Sequence, residues 1–397
     1  MPNLLRRIII ILLLQILLYS FITEWFIVIF DAVELNITME IAIFILLVIP
    51  LFYIFNLKKS NIKYEIFINN ILPISLLFLI LPFLHFFILY KYDIFNRRIG
   101  TENIALIYGD IGGLDKLIMK LYDTTQFFFI IIGFYILKSN KNIKYKRIFK
   151  FIFILNTIYI LSMSITSSRS ALIIFLILFY IVDGMFGFIT KRIKNILLTV
   201  GMTFFILISL IRYIPVILLS NSIDLKDVLK NEFLYRANCS QFLNEVYTAT
   251  KFKGYLYGET VTTPFLTLKS ILGDEKAKEK IRDADTGSKQ FILSNYLGKD
   301  NKDECSCVVV DSFVNFGFMG IIILLFIYLF WIFLINKILQ KKIINTFHFT
   351  FILSVLSTIL LYEADGLSLI FAIIKFLPAI LLFTILNPLS IHKIQQN

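Results

Sequence analysis

Arg169 stands in the turn Ser167-Ser168-Arg169-Ser170, just after Ser162, Ser164 and Thr166, with no acidic neighbour in the adjacent sequence. A guanidinium at the edge of an apolar run is costly to desolvate unless it snorkels to water or meets an anion. Among hydroxyls it suits a phosphate oxyanion, which its planar fork grips with two parallel hydrogen bonds; lipid head groups are the plainer partner. Arg236 interrupts the apolar stripe of Leu229, Phe233, Leu243 and Tyr247, with Glu232 one turn earlier as an alternative ion-pair partner. Arg212 lies near the end of another apolar run. Three such cations on one face make a metal-free clamp for a departing pyrophosphate, stabilising its charge as it develops.

A proton acceptor for such chemistry would be a carboxylate, because His85, His348 and His392 all fall in apolar spans or in the C-terminal tail. Asp311, opening a helix in nearly apolar surroundings, is the first candidate; Glu232, Glu245, Glu363 and Asp365 are the others. Asp283-Ala284-Asp285 has the spacing of a divalent-metal pair, but it follows Asp274, Glu275, Lys276, Lys278, Glu279, Lys280 and Arg282, which read as a solvated helix. Cys305-Ser306-Cys307 lacks two further zinc ligands. Neither a metal nor a cofactor is expected. Cys239 is free to bridge to Cys305 or Cys307, or the three remain thiols.

These residues must be positioned by lipid-embedded helices. The 397 residues are 58% hydrophobic with mean hydropathy +0.83, and only 17% are charged. Soluble domains are nearer about 45–50% apolar, so hydrocarbon is the solvent for most of the chain. The net charge of +12 comes from Lys and Arg gathered in short loops, the pattern that sets orientation in a membrane, and excludes nucleic acid as the expected partner.

Arg6 and Arg7 precede a first span from Ile8 to Phe30; a second, from about 41 to 57, ends at Lys58, Lys59 and Lys63. The third is read from Ile66 to Tyr90, with kinks expected at Pro73 and Pro82. A polar external loop over 91–125 leads into a fourth helix starting near Leu117, and the basic loop Lys138 to Lys150 returns the chain to the cytoplasmic side. The fifth and sixth spans flank the Arg169 turn, and the seventh ends near Leu219. Residues 220–308 form a large external loop. The eighth span is read from Val309 to Ile335, and two more flank Glu363-Ala364-Asp365-Gly366. The expectation is an all-α polytopic membrane protein of about ten transmembrane helices, divided into 1–219, 220–308 and 309–397, with both termini cytoplasmic.

From Val308 through Asp311-Ser312-Phe313-Val314-Asn315-Phe316-Gly317 to Gly320, the chain resembles the Wzy-type oligosaccharide repeat-unit polymerases, whose large external loop ends in an Asp-containing segment followed by Asn-Phe-Gly. The Ser168-Arg169 turn, and Tyr235-Arg236 followed by Gly258, resemble other parts of that pattern in the same order. The resemblance covers the fifth to the eighth span. It implies a GT-C-like polymerase or ligase architecture in the bacterial cytoplasmic (inner) membrane. The implied activity is an inverting glycosyltransferase that extends a polyprenyl-diphosphate-linked oligosaccharide into O-antigen or capsule. A chain-length regulator protein is an implied partner, with membrane lipids around the spans. It further implies that Arg169, Arg236 and Arg212 hold the pyrophosphate, that Asp311 is the base, and that Ser168, Asn315 and Gly317 bind substrate or shape the site. The related O-antigen ligases carry a histidine motif in the large loop, and this loop has no histidine. A lipid-linked glycan flippase would instead place ionisable groups at mid-bilayer between repeated halves.

Overall fold

The computed structural model describes residues 2–31, 37–57, 62–68, 71–94, 111–138, 145–166, 169–187, 239–262, 272–282, 291–298, 307–360, 377–386 and 389–394, with short pieces at 190, 192, 195, 199–200, 203, 265–266, 269–270, 369, 374 and 376. In chain order, α1 is Asn3–Leu17, α2 Thr23–Asp31, α3 Ile37–Ile43 and α4 Ile49–Phe55, followed by strand β1, Lys63–Ile68. Next come α5 Leu72–Lys91, α6 Gly113–Lys138, α7 Lys146–Thr166, α8 Arg169–Phe186, α9 Cys239–Lys253 and α10 Glu275–Arg282. The chain closes with α11 Val308–Phe316, α12 Phe318–Gln340, β2 Ile343–Asn345, α13 Thr346–Ile359, α14 Leu377–Leu386 and β3 Leu389–Ile394.

Among the described residues four helical segments are long and apolar enough to cross a membrane: Asn3–Trp25, Ile37–Phe55, Leu72–Lys91 and Phe318–Gln340. The first two are continuous only because a π-helical turn joins their halves, at Leu18–Ile22 and Phe44–Val48. A π turn widens the ladder and leaves carbonyls poorly met; Thr23 Oγ1 donates to Leu18 O at 3.0 Å and to Tyr19 O at 3.1 Å.

The third span differs from its sequence reading. Ile66 belongs to β1, the helix begins at Leu72, and Pro73 sits in its first turn, where a missing N–H costs nothing. Only Pro82 is interior. Its missing amide releases the carbonyl four residues back, Phe78 O, and Asn156 of α7 supplies the replacement, its Nδ2 donating at 2.6 Å. Asn156→Leu is therefore expected to destabilise the native chain by about 1–3 kcal/mol, the cost of an unmet buried carbonyl. In a Pro82→Ala background, which restores the helical N–H, the same change costs less. Thermal unfolding of the four proteins in detergent reads this; equal costs in both backgrounds would dismiss the pairing. His85, one turn further along α5, is hydrogen-bonded to Tyr159 Oη at 2.8 Å and stacked on Tyr122.

One end of the bundle is defined by contacts between segments distant in sequence. β1, β3 and β2 form an antiparallel sheet in that order, with Glu65 opposite His392 and Ile344 opposite Ile391. This sheet is an addition to the all-α expectation. It joins the loop after the second span, the loop after α12 and the C-terminal tail, so these three segments share one face. Tyr64 donates from its hydroxyl to Leu339 O at 2.5 Å, and burial pushes its phenol pKa up, keeping the proton in place. Arg6 lies over Phe55 at 4.6 Å, and Arg7 pairs with buried Asp183 of α8 at 2.8 Å while donating to Tyr180 O. Gly184 permits that approach, since a methyl group there would lie 3.2 Å from the Leu4 backbone. The N-terminus of α1 and the C-terminal ends of α4, α8 and α12 thus gather beside the sheet, together with Lys63, Lys337, Lys341, Lys342 and Lys393.

Candidate functional site

At the opposite end, the expected eighth span is two helices. Val309–Ile335 reads as one apolar run, but α11 ends at Phe316 and α12 begins at Phe318, with Gly317 between them at φ 59°, ψ −141°. That backbone region is open almost only to glycine. A methyl group at Gly317 would also meet the Tyr255 hydroxyl oxygen at 2.8 Å. Beyond the turn, α11 folds back so closely on α12 that the Gly320 α-carbon has no room for a substituent: a methyl group would sit 1.8 Å from the Ser312 carbonyl oxygen. All of α11 from Val308 to Asn315 is buried.

Asn315, 0% exposed, ties this hairpin to the large loop. Its Oδ1 accepts from Gly258 N–H at 2.8 Å, and its Nδ2 donates to Thr260 Oγ1 and to Asp311 O, both at 2.7 Å. The backbone adds two bonds, Leu256 N–H to Val314 O at 3.0 Å and Tyr257 N–H to Asn315 O at 3.1 Å. Segment 254–262 is thereby laid along the last turn of α11 as an extension of its carbonyl row. It is closed on the other side by Tyr296, whose hydroxyl donates to Gly254 O at 2.5 Å and whose ring lies 5.8 Å from Lys253 Nζ. Burial, with Tyr255 nearby, pushes the Tyr296 phenol pKa up, so it remains a donor through neutral pH.

This clamp presents aromatic rings. Tyr257 holds φ 48°, unusual for a bulky side chain, and is 75% exposed. Its ring meets those of Tyr255 and Phe316 edge-on, at 6.3 and 6.4 Å. Tyr255 in turn meets Phe313 at 6.3 Å. Beneath them α9 packs on α11 and also on α2 and α3. The helix buries Cys239, Phe242, Leu243 and Val246, an i, i+3, i+4, i+7 stripe.

Of the residues singled out in the sequence, Asp311, Asn315 and Gly317 come together with Gly258. Asp311 is 1% exposed and lies one turn before Asn315, whose Nδ2 donates to its main-chain oxygen. Arg169 is the first residue of α8. Ser168, Arg212, Arg236, Glu232, Glu363, Asp365, Asp283, Asp285 and Cys305 lie outside the described residues. Cys239 and Cys307 are both buried, and neither is in a disulfide. The fourth helix begins at Gly113, earlier than Leu117, because Asp115 caps the approach by binding Lys91 at 2.7 Å and the Tyr92 hydroxyl at 2.9 Å. α10 is the solvated helix expected beside Asp283; Ala277 is buried, while Glu275, Lys276 and Glu279 are exposed.

Sequence reasoning passed over two carboxylates. Glu24 in α2 and Glu40 in α3 are 5% and 8% exposed, within the helices on which α9 rests. An acidic side chain inside an otherwise apolar run was the available signal. Lys116 in the first turn of α6 was also missed; it is 4% exposed and donates to Ser270 Oγ at 3.0 Å, tying α6 to the large loop. Among the described residues no group of three His, Cys, Asp or Glu side chains is placed to hold a metal ion. No protein-family model, curated protein or solved structure matches the chain.

Proposed function

We propose that this chain is an inverting, metal-independent glycosyltransferase of the bacterial cytoplasmic membrane. It polymerises polyprenyl-diphosphate-linked oligosaccharide repeat units into a surface polysaccharide. In this reading the chain crosses the bilayer about ten times with a GT-C-like arrangement. The basic sheet face is cytoplasmic and the large loop is periplasmic. The observation that supports the reading is the Asn315 clamp: two stretches far apart in sequence that the same resemblance singles out, around Gly258 and from Asp311 to Gly317, are held together at the end of the bundle away from the basic sheet.

The chemistry is a single displacement. The acceptor sugar hydroxyl oxygen forms a bond to the donor's anomeric carbon as the bond from that carbon to the lipid diphosphate breaks, which inverts the centre. The hydroxyl proton passes to a carboxylate, with Asp311 as the assigned base, and the electron pair leaves with the diphosphate. Arg169, Arg236 and Arg212 neutralise that growing charge, and Ser168 adds a hydroxyl donor. Asn315 and Gly317 shape the acceptor side, where Tyr255 and Tyr257 offer ring faces to a sugar.

The test is polymer laddering in a strain lacking the protein, complemented at matched membrane abundance with the native chain, Asp311→Asn, Arg169→Ala or Arg236→Ala. Each variant is expected to lose long chains, by about 100-fold or more for a general base or an anion donor, while single-unit products persist. Unchanged ladders would remove those residues from the mechanism. Disappearance of the single-unit products as well, with lipid-linked units trapped inside, would assign the chain to transport instead; loss only of transfer to a lipid A core would assign it to ligation.

A further inference from the structure

The Asn315 clamp sits at the start of α12. That helix has 23 residues and no charged side chain before Lys337; at 1.5 Å per residue it is about 34 Å long, against a hydrocarbon layer of about 30 Å. Met319, Phe326, Phe330 and Phe333, recurring along one side of it, are all exposed, so an apolar face turns outward from the first turn onward. A span matched in this way puts Gly317 and Phe318 at the boundary between hydrocarbon and head groups, at the end away from Lys337 and Lys341.

The rings of the large-loop segment stand at that same height. The Tyr255 hydroxyl packs directly on Gly317, where a methyl group would meet it at 2.8 Å. From Phe318 an unbroken series of ring contacts leads into the loop: Phe318 to Phe313 at 5.5 Å, Phe313 to Tyr255 at 6.3 Å, and Tyr255 to Tyr257 at 6.3 Å. Tyr257 closes back on Phe316, the residue before Gly317, at 6.4 Å. It is the most exposed ring of the series, and its N–H bond to Asn315 O holds it out on a left-handed backbone of φ 48°. Exposed Lys251 joins the same cluster, its ammonium 4.5 Å from the Tyr247 ring, which lies 6.0 Å from that of Phe313.

Tyrosine is a side chain that bilayer interfaces collect, because its ring suits the upper acyl and ester region while its hydroxyl reaches the head groups. Lysine suits the same layer, its stem on apolar surface and its ammonium at lipid phosphate. We infer that segment 255–257 is a membrane-interface anchor, with Tyr257 lying in the head-group layer of the leaflet opposite the basic sheet and a phospholipid surface as its partner. The anchor fixes the height of the clamp above the bilayer. The inference rests on α12 crossing the membrane and uses no glycan, so it stands apart from the glycosyl-transfer reading. A ring has two faces, and lipid against one leaves the other, and Tyr255, to a sugar carried at the same height.

The test is photo-crosslinking of the full chain in nanodiscs of phosphatidylethanolamine and phosphatidylglycerol, with p-benzoylphenylalanine placed singly in place of Tyr257, Met319 or Lys276, the last on exposed helix α10. Mass spectrometry after irradiation is expected to show a lipid adduct at 257 with a yield like that at 319, and to show its loss at 276. A 257 without lipid, a 319 without lipid, or a yield at 276 equal to that at 257 would each overturn the inference. A second measurement avoids the bulky probe: the emission of Tyr257→Trp, read as its difference from the native chain, is expected to be quenched by lipids carrying a head-group nitroxide and spared by aqueous iodide. The reverse pattern would put the ring in water, where a glycan or a protein meets it, and would overturn the inference. Gel filtration compares every variant with the native chain. Since no polymer is made in either measurement, failure here leaves the laddering result untouched, and unchanged ladders leave the anchor in place.

Discussion

Gly320→Ala is expected to be the most damaging single-methyl substitution in the described chain. The added carbon would arrive 1.8 Å from the Ser312 main-chain oxygen, well inside contact distance. A flexible side chain in that place would rotate away, but a helical carbonyl is fixed by its own ladder, so α11 and α12 must separate. Inserting atoms into packed interiors costs typically about 1–3 kcal/mol, more when backbone has to move; about 3 kcal/mol or more is expected here. Ser312→Ala gives no rescue, because the atom encountered is main chain. Met319→Ala, at a neighbouring position that is 61% exposed, should fall within about 0.5 kcal/mol of the native protein. Thermal unfolding of the purified proteins, with their abundance in membranes, measures the difference. Were Gly320→Ala as stable as Met319→Ala, the close crossing of α11 and α12 would be wrong.

That crossing also explains where the sequence stopped being informative. Apolar length and basic loops are local signals, and they located the first, second and third spans, with starts displaced by about four to six residues, and the main body of α12. Val308 to Ile335, however, is apolar almost throughout, and an isolated glycine inside such a run is compatible with an unbroken helix. Gly317 breaks the run because Gly320 lets two helices touch, a tertiary fact with no local trace. The sheet failed for a related reason. Lys63-Tyr64-Glu65-Ile66-Phe67-Ile68 alternates only weakly, and its partner Leu389–Ile394 lies at the far end of the chain. Hence Ile66 was drawn into a span that begins six residues later, at Leu72. Pro82 was read correctly as an interior proline, but that Asn156 answers it across the bundle depends on helix packing. For the candidate site, apolar surroundings singled out Asp311, and the resemblance to the Wzy-type polymerases singled out Asn315, Gly317 and Gly258; their hydrogen bonds required the fold. Glu24 and Glu40 went unread because hydropathy averages an isolated acid into its apolar neighbours.

The second large effect is expected at Asn315, where stability and function separate. Removing the side chain in Asn315→Ala deletes three hydrogen bonds, to the Gly258 N–H, the Thr260 hydroxyl and the Asp311 carbonyl. At about 1 kcal/mol per bond the loss is about 3 kcal/mol. It falls on the attachment of 254–262 and leaves the four long apolar segments untouched. Hydrogen exchange of the Leu256, Tyr257 and Gly258 amides should therefore quicken by about 100-fold, the equivalent of that loss, while amides in the middle of α12 keep their native rates. Asn315→Asp retains an acceptor for Gly258 but gives up both donated bonds and puts a charge at a site that is 0% exposed, facing the Asp311 carbonyl. It is expected to release the segment as fully as alanine does. In the laddering experiment both variants should remain in the membrane and shorten the polymer, because the rings of Tyr255 and Tyr257 lose their fixed place over α11. Native exchange rates at those three amides in Asn315→Ala would dissolve the clamp, and with it the observation on which the proposed function rests. Altered exchange with normal polymer length would keep the clamp as architecture and remove it from the reaction.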